Sequence, residues 1–232
     1  MSSTEPLSTP CVHGPFGRPT AVMYVDLDHF MRICIDASAD VVFALIRDFQ
    51  RIVTDAVLDF KGELNAYQGD GVLATFSEVP GRADCASRAL KCALTVLEQI
   101  SALNGEQAVG DHGPVSVCIG LQYGEVWSGI IGISERFGPT LVGDAVNVAV
   151  RLEQVAHSLG TKIVAGDDSV QIARCSELAH FAKACPLQLR GRREPVNVWT
   201  LQSNAVAAMG NELTHCAPES PLRRAAKVSA QL

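Results

Sequence analysis

Aromatic side chains are scarce: two Trp, three Tyr and eight Phe make up 6% of the 232-residue chain. That leaves few platforms on which bases could stack. The formal net charge of -6 gives no basic surface to attract a phosphate backbone, so nucleic-acid binding is not expected. No uninterrupted apolar run reaches the roughly 18 residues of a membrane span. The richest stretch, Val115 to Ile133, is broken by Gln122, Glu125 and several glycines. The first 20 residues lack a basic start and an apolar run, so no secretory signal is read there and a reducing cytoplasm is the expected location. None of the eight cysteines forms a Cys-x-x-Cys pair, and no Cys/His spacing along the chain reads as a zinc site. Cys34, Cys85, Cys92 and Cys118 fall within apolar patterns and are expected as buried free thiols.

What is present is ordinary globular composition, 47% apolar and 19% charged, enough for one domain with a sizeable core. Residues 1–19, rich in Ser, Thr, Pro and Gly, read as a flexible leader. Residues 20–202 read as the domain, and residues 203–232, polar and Ala-rich, as a tail. Ala21 to Leu27 reads as a buried strand. Apolar residues at 41, 42, 45, 46, 49, 52, 53, 56, 57 and 60 mark a helix, and 86, 89, 90, 93, 94 and 97 mark another. Glu63 to Phe76 splits into a hairpin about Gly69-Asp70-Gly71. Val115 to Ile133 reads as two strands about Gly124, and Asp144 as the cap of a helix running to Ala156. Last strands are expected at Thr161–Ala165 and within Leu187–Leu201. The order predicts an α+β fold of the ferredoxin-like βαββαβ plan, with helices on one face of a mainly antiparallel sheet.

Within that plan, a few polar residues fall at informative places. Tyr24 and Asp26 alternate onto one face of the first strand, and a carboxylate ending a buried strand needs a partner. Asp28 reads as a capping or ion-paired residue. Asp70 on its own reads first as a type I′ turn residue, with the second carboxylate of a metal-binding pair as the alternative. Two carboxylates on neighbouring strands suit a pair of divalent ions, Mg²⁺ or Mn²⁺, as used in phosphoryl transfer. Asn147 and Arg151, spaced i, i+4, share one helix face and suit a ribose oxygen and a developing phosphate charge; a solvated arginine is the alternative.

Five segments in order resemble the class III adenylate/guanylate cyclase catalytic domain: Val25–Phe30, Gly69–Phe76, Gly120–Val126, Val142–Glu153 and Leu189–Val196. The resemblance covers roughly residues 20–202. It implies that Asp26, Asp70 and the Leu27 carbonyl bind two metal ions. It implies further that Asn147 orients the ribose, that Arg151 stabilises the α-phosphate, and that Arg190 takes the place of a triphosphate-binding Lys. It also implies a head-to-tail homodimer, with metals held by one chain and Asn147 and Arg151 supplied by the other. Where purine cyclases of this family carry a base-reading Lys or Glu, this chain has Ala66; the partner position is Thr140. Tyr24 stands where the family usually has Phe, and it reads either as a phenol entering the nucleotide pocket or as a core aromatic with its hydroxyl satisfied at the edge, with Tyr67 as a weaker candidate. These departures resemble the pyrimidine cyclases of bacterial anti-phage systems, which implies UTP or CTP as substrate, with UTP preferred, and a cyclic nucleotide that activates a separate effector. A purine cyclase with unusual base contacts and a non-catalytic dimerisation domain are the other readings.

Overall fold

The computed structural model describes residues 16–106, 114–129 and 140–203. The elements run β1 (Phe16–Leu27), α1 (Phe30–Asp36), α2 (Ala39–Asp59), β2 (Glu63–Gln68), β3 (Gly71–Ser77), α3 (Cys85–Glu106), β4 (Val117–Gly129), β5 (Thr140–Val142), α4 (Asp144–Leu159), β6 (Ile163–Gly166), α5 (Asp167–Ile172), β7 (Phe181–Lys183) and β8 (Val198–Leu201). One sheet has the order β2-β3-β1-β4-β6-β8-β7, with β5 beside β4. Every pairing is antiparallel except β4 with β6. β1 through β4, with α2 and α3 between them, form the expected βαββαβ unit. No helix among the described residues is long and apolar enough to cross a membrane.

α2 and α3 are amphipathic, and their buried stripes, among them Phe49, Val53, Val57, Leu90, Ala93 and Val96, pack on Ala21, Met23, Val25, Ala74 and Phe76 of the sheet. That is the one-face arrangement expected. α4 is added on the opposite face, where Ala145 and Ala149 pack with Val22, Tyr24 and Leu73. β1 is therefore apolar on both faces, and nothing in its pattern distinguishes them. Asp84 starts α3: its carboxylate accepts from the Ser87 N–H (2.7 Å) and hydroxyl (2.8 Å).

Several expectations need correction. Gly124 is not a turn, because β4 runs straight through it. A Cβ at Gly124 would lie 3.1 Å from the Cβ of Ala145, so the glycine makes room for α4. Residues 130–133, expected in that strand, lie outside the described residues. Asp144 is not the cap of α4. Gly143 holds that position, and the Asp144 carboxylate pairs instead with Arg192 (3.2 Å). The Gly69-Asp70 turn has positive φ at Gly69 alone (68°), the pattern of a type II′ rather than a type I′ hairpin. Cys85, Cys92 and Cys118 are buried thiols as expected, but Cys34 is exposed, on an α1 that buries no residue. β1 begins at Phe16, inside the stretch read as leader. Residues 1–15 and 204–232 lie outside the described residues.

α4 approaches the sheet most closely at Gly120. A Cβ there would lie 1.9 Å from the Ala149 carbonyl oxygen and 2.5 Å from the Glu153 nitrogen, both main-chain atoms that cannot swing aside. Gly120→Ala is expected to destabilise the protein by about 3 kcal/mol, the upper end of overpacking costs, measured by chemical denaturation.

Candidate active site

Register brings the first group of site residues together. Asp26 lies opposite Gly71 on one side and Cys118 on the other, and Tyr24 lies opposite Leu73 and Gly120. Ala66 pairs with Leu73 across the hairpin. Ala66, Leu73, Tyr24 and Gly120 thus form a row on the face that carries Asp26. The Leu27 N–H donates to the Asp70 carbonyl (3.3 Å), which fixes the hairpin tip beside the end of β1.

The electrostatics of this corner are unfavourable without a cation. Burial raises the Asp26 carboxyl, and the charge of Asp70 raises it further, to about 6. One oxygen, Asp26 Oδ1, is buried without a hydrogen-bond partner. An orphaned buried carboxylate oxygen next to a second carboxylate is what an all-oxygen site for Mg²⁺ or Mn²⁺ offers. Asp26, Asp70 and the Leu27 carbonyl therefore fit the ions that the sequence implies.

Tyr24 lies on the face of Asp26, as the strand alternation implied. Its hydroxyl lies over Gly71, within 2.2 Å of where a Cβ would be, and that same Cβ would lie 3.3 Å from Asp26 Oδ1. The phenol thus reaches the carboxylate end of the site. Burial raises it to about 12, with Asp26, Glu153 and Asp70 adding to the effect, so it stays protonated. Tyr67 is on the other face: its hydroxyl bonds to Thr54 of α2 (2.7 Å), which removes it as a pocket residue.

The second group sits on α4 and the loop that follows β7. Asn147 is exposed and Arg151 half-buried. The Arg151 guanidinium lies 3.7 Å from where a Cβ of Gly191 would stand, so it borders the turn Arg190-Gly191-Arg192. That turn uses a left-handed Gly191 (φ 81°) and is closed by the Leu187–Val196 bridge. Arg190 is exposed there.

The two groups are separate within one chain. The C-terminal end of α4 touches the end of β1, where His157 Nδ1 meets Asp28 at 2.7 Å. Asn147 lies ten residues earlier on that helix, about 15 Å along its axis. Thr140 pairs with Gly129 at the far end of β4, eleven residues beyond the Cys118 that faces Asp26, or up to about 35 Å along the strand. Its neighbour Leu141 packs against the same small apolar cluster as Ala66.

The sequence reading missed Glu153. It is buried (6% exposed) under the same sheet face. Burial, then the charges of Asp26, Asp28 and Asp70, raise its carboxyl to about 7. Its signal was legible: a lone acid within the stripe Ala145, Ala149, Leu152, Ala156 that α4 buries.

Two carboxylates, one at the end of a buried strand and one at the adjoining hairpin tip, thus form an all-oxygen corner in an α+β domain, with one oxygen left without a partner. The model of the adenylate and guanylate cyclase catalytic domain matches residues 17–203, and the chain belongs to that family. It is 27% identical over 177 residues to Adenylate cyclase 1 of Rhizobium meliloti (strain 1021), covering 76% of this chain and 26% of that protein. In fold it is similar to a bacterial light-regulated adenylyl cyclase (TM-score 0.73, 23% identity, 84% of this chain and 55% of that one). It is similar also to the guanylyl cyclase Cya2 (TM-score 0.70, 23% identity, 81% and 93%). The chain spans about a quarter to a third of the length of the curated relatives it matches.

Asp26 and Glu153 hold a proton more tightly in the folded chain than their ordinary values of 3.8 and 4.5 allow. The stability they contribute is fully present below about pH 4 and is lost as pH rises through about 6 to 7. Glu153→Gln should therefore be more stable than the wild type in metal-free buffer. Its advantage should be small at pH 5 and largest at pH 8, worth several degrees in Tm by calorimetry. Mn²⁺ should raise the wild-type Tm at pH 8 but not that of Asp70→Ala.

Proposed function

We propose that the chain is a nucleotidyl cyclase that converts a nucleoside triphosphate to a 3′,5′-cyclic nucleotide and pyrophosphate, and that it works as a head-to-tail homodimer in the cytoplasm. The observation that carries this reading is the unpartnered buried Oδ1 of Asp26 beside Asp70. Asp26, Asp70 and the Leu27 carbonyl would hold two divalent ions. When bound, such ions supply charge neutralisation at the phosphates and lower the pKa of the attacking hydroxyl. Asn147 orients the ribose by hydrogen bonding, so that its 3′-oxygen faces the α-phosphorus. Arg151 offsets the charge that develops on the α-phosphoryl oxygens as the bond to pyrophosphate breaks. Arg190 takes the triphosphate tail. The separation of Asn147 from the end of β1 within one chain favours composite sites, each with carboxylates from one copy and Asn147, Arg151 and Arg190 from the other.

For the base, we favour a pyrimidine, UTP before CTP. Ala66 offers no hydrogen bond and sits in an apolar row with Leu73 and Tyr24, so a purine would meet none of the donors that a Lys supplies. Thr140 is then the one polar group of the base-reading pair. A cyclic pyrimidine nucleotide would fit a messenger in anti-phage defence. A purine substrate with unusual contacts is the alternative, favoured by the adenylyl and guanylyl cyclases among its fold relatives.

Incubation with ATP, GTP, CTP or UTP and either Mn²⁺ or Mg²⁺ should give cyclic UMP as the main product. No cyclic product from any of the four would overturn the reading. Asp70→Ala and Arg151→Ala proteins should each lose activity at least about a hundredfold. Mixed, they should recover part of it through one intact composite site; failure to do so despite subunit exchange counts against the dimer. Ala66→Lys should raise turnover of ATP relative to UTP, read as a ratio of kcat/KM.

A further inference from the structure

A second cluster of ligating side chains lies just past the end of β1, and cyclase chemistry makes no use of it. Asp28 is largely buried there. Its Oδ2 is pinned by the Ser116 hydroxyl (2.8 Å) and by Lys162 Nζ (3.2 Å). Its Oδ1 faces two imidazoles, with His157 Nδ1 at 2.7 Å and His29 Nε2 at 3.5 Å. The two rings meet nearly edge to face, centroids 4.9 Å apart. Cys118 lies on the buried side, and the ligand atoms of Asp28, Cys118 and His157 are all within 4.8 Å of one another.

We propose that Asp28, His29 and His157, with Cys118 behind them, bind a divalent ion of the zinc class at a site distinct from the Asp26/Asp70 pair. The donor set decides the ion. Two imidazoles, one carboxylate oxygen and one thiol suit a borderline, four-coordinate cation, whereas Asp26 and Asp70 offer oxygen alone. Metal–ligand bonds near 2.0–2.2 Å in a tetrahedron set ligand atoms about 3.3 Å apart. His29 Nε2 is already at about that distance from Oδ1, and His157 Nδ1 has to withdraw by about half an ångström. Lys162 is a cation beside the cluster, but it and Ser116 hold only the far oxygen. That is the outer-shell bonding which usually orients a ligating carboxylate. Binding replaces the contact between Asp28 and His157, and the Cys118 thiol gives up its proton to solvent as it ligates. The four ligands come from the end of β1, the residue that starts α1, the last turn of α4, and β4, so the ion ties these elements together.

The test is Zn²⁺ binding by calorimetry with Mg²⁺ in excess to fill the oxygen-only pair, and Co²⁺ as a spectroscopic probe. Neither readout depends on cyclase activity, so their failure is separate from failure of the cyclase reading. One Zn²⁺ per chain is expected, unchanged in Asp70→Ala. Co²⁺ should give the visible bands of a four-coordinate site with a near-ultraviolet thiolate band. His29→Gly is the informative variant. His29 has a left-handed backbone (φ 59°) that glycine adopts freely, so the variant should fold at least as well while losing a ligand. It should weaken Zn²⁺ by about tenfold or more, and His157→Gln likewise. No Zn²⁺ uptake in excess Mg²⁺ would overturn the proposal. So would uptake that Asp70→Ala abolishes and the two histidine variants leave unchanged.

Discussion

How closely α4 lies against β4 governs everything on the open face of the sheet. The contact is main chain to main chain at Gly120, with the small side chains of Ala145 and Ala149 facing the sheet. That seating fixes the rotation of α4. Glu153 is driven under the helix, while Asn147 and Arg151 are turned outward toward the Arg190-Gly191-Arg192 turn. It also fixes the axial position of α4, which brings His157 to Asp28. A helix held through bulkier residues would stand off the sheet, and neither polar group would be placed.

The second governing fact is charge. The corner at the end of β1 gathers Asp26, Asp70 and Glu153, while Lys162 pairs with Asp28. For Asp28, hydrogen bonds from Ser116 and Lys162, with the Lys162 charge, outweigh burial and lower its pKa. The two aspartates, two residues apart at the end of β1, are thus resolved in opposite ways. Asp28 is neutralised by the protein itself, while Asp26 keeps a buried oxygen without a hydrogen-bond partner.

Much of this was legible in the sequence, and the exceptions have physical causes. α2 and α3 announce themselves because each has one buried stripe and one wet face. The carboxylate pair was legible because acids at a strand end and a hairpin tip break otherwise apolar patterns. The face taken by α4 was hidden, since β1 alternates one apolar set with another: Val22 and Tyr24 against Ala21 and Met23. Gly124 looked like a turn because a glycine that admits a helix and one that bends a chain are the same letter. The direction of the Tyr24 phenol depends on Gly71 across the ladder, and the contact of Asp28 with His157 spans 129 residues. Neither is a local property of the chain.

The position of the Tyr24 hydroxyl over Gly71 also orders the routes by which this site can change. A side chain at Gly71 would occupy the space the phenol oxygen holds. Any residue larger than glycine there must therefore follow a reduction at Tyr24. The reverse order passes through a clash beside the Asp26 carboxylate. Tyrosine at this place is in that sense a ratchet: once acquired, it makes the neighbouring glycine irreplaceable until the tyrosine itself is lost.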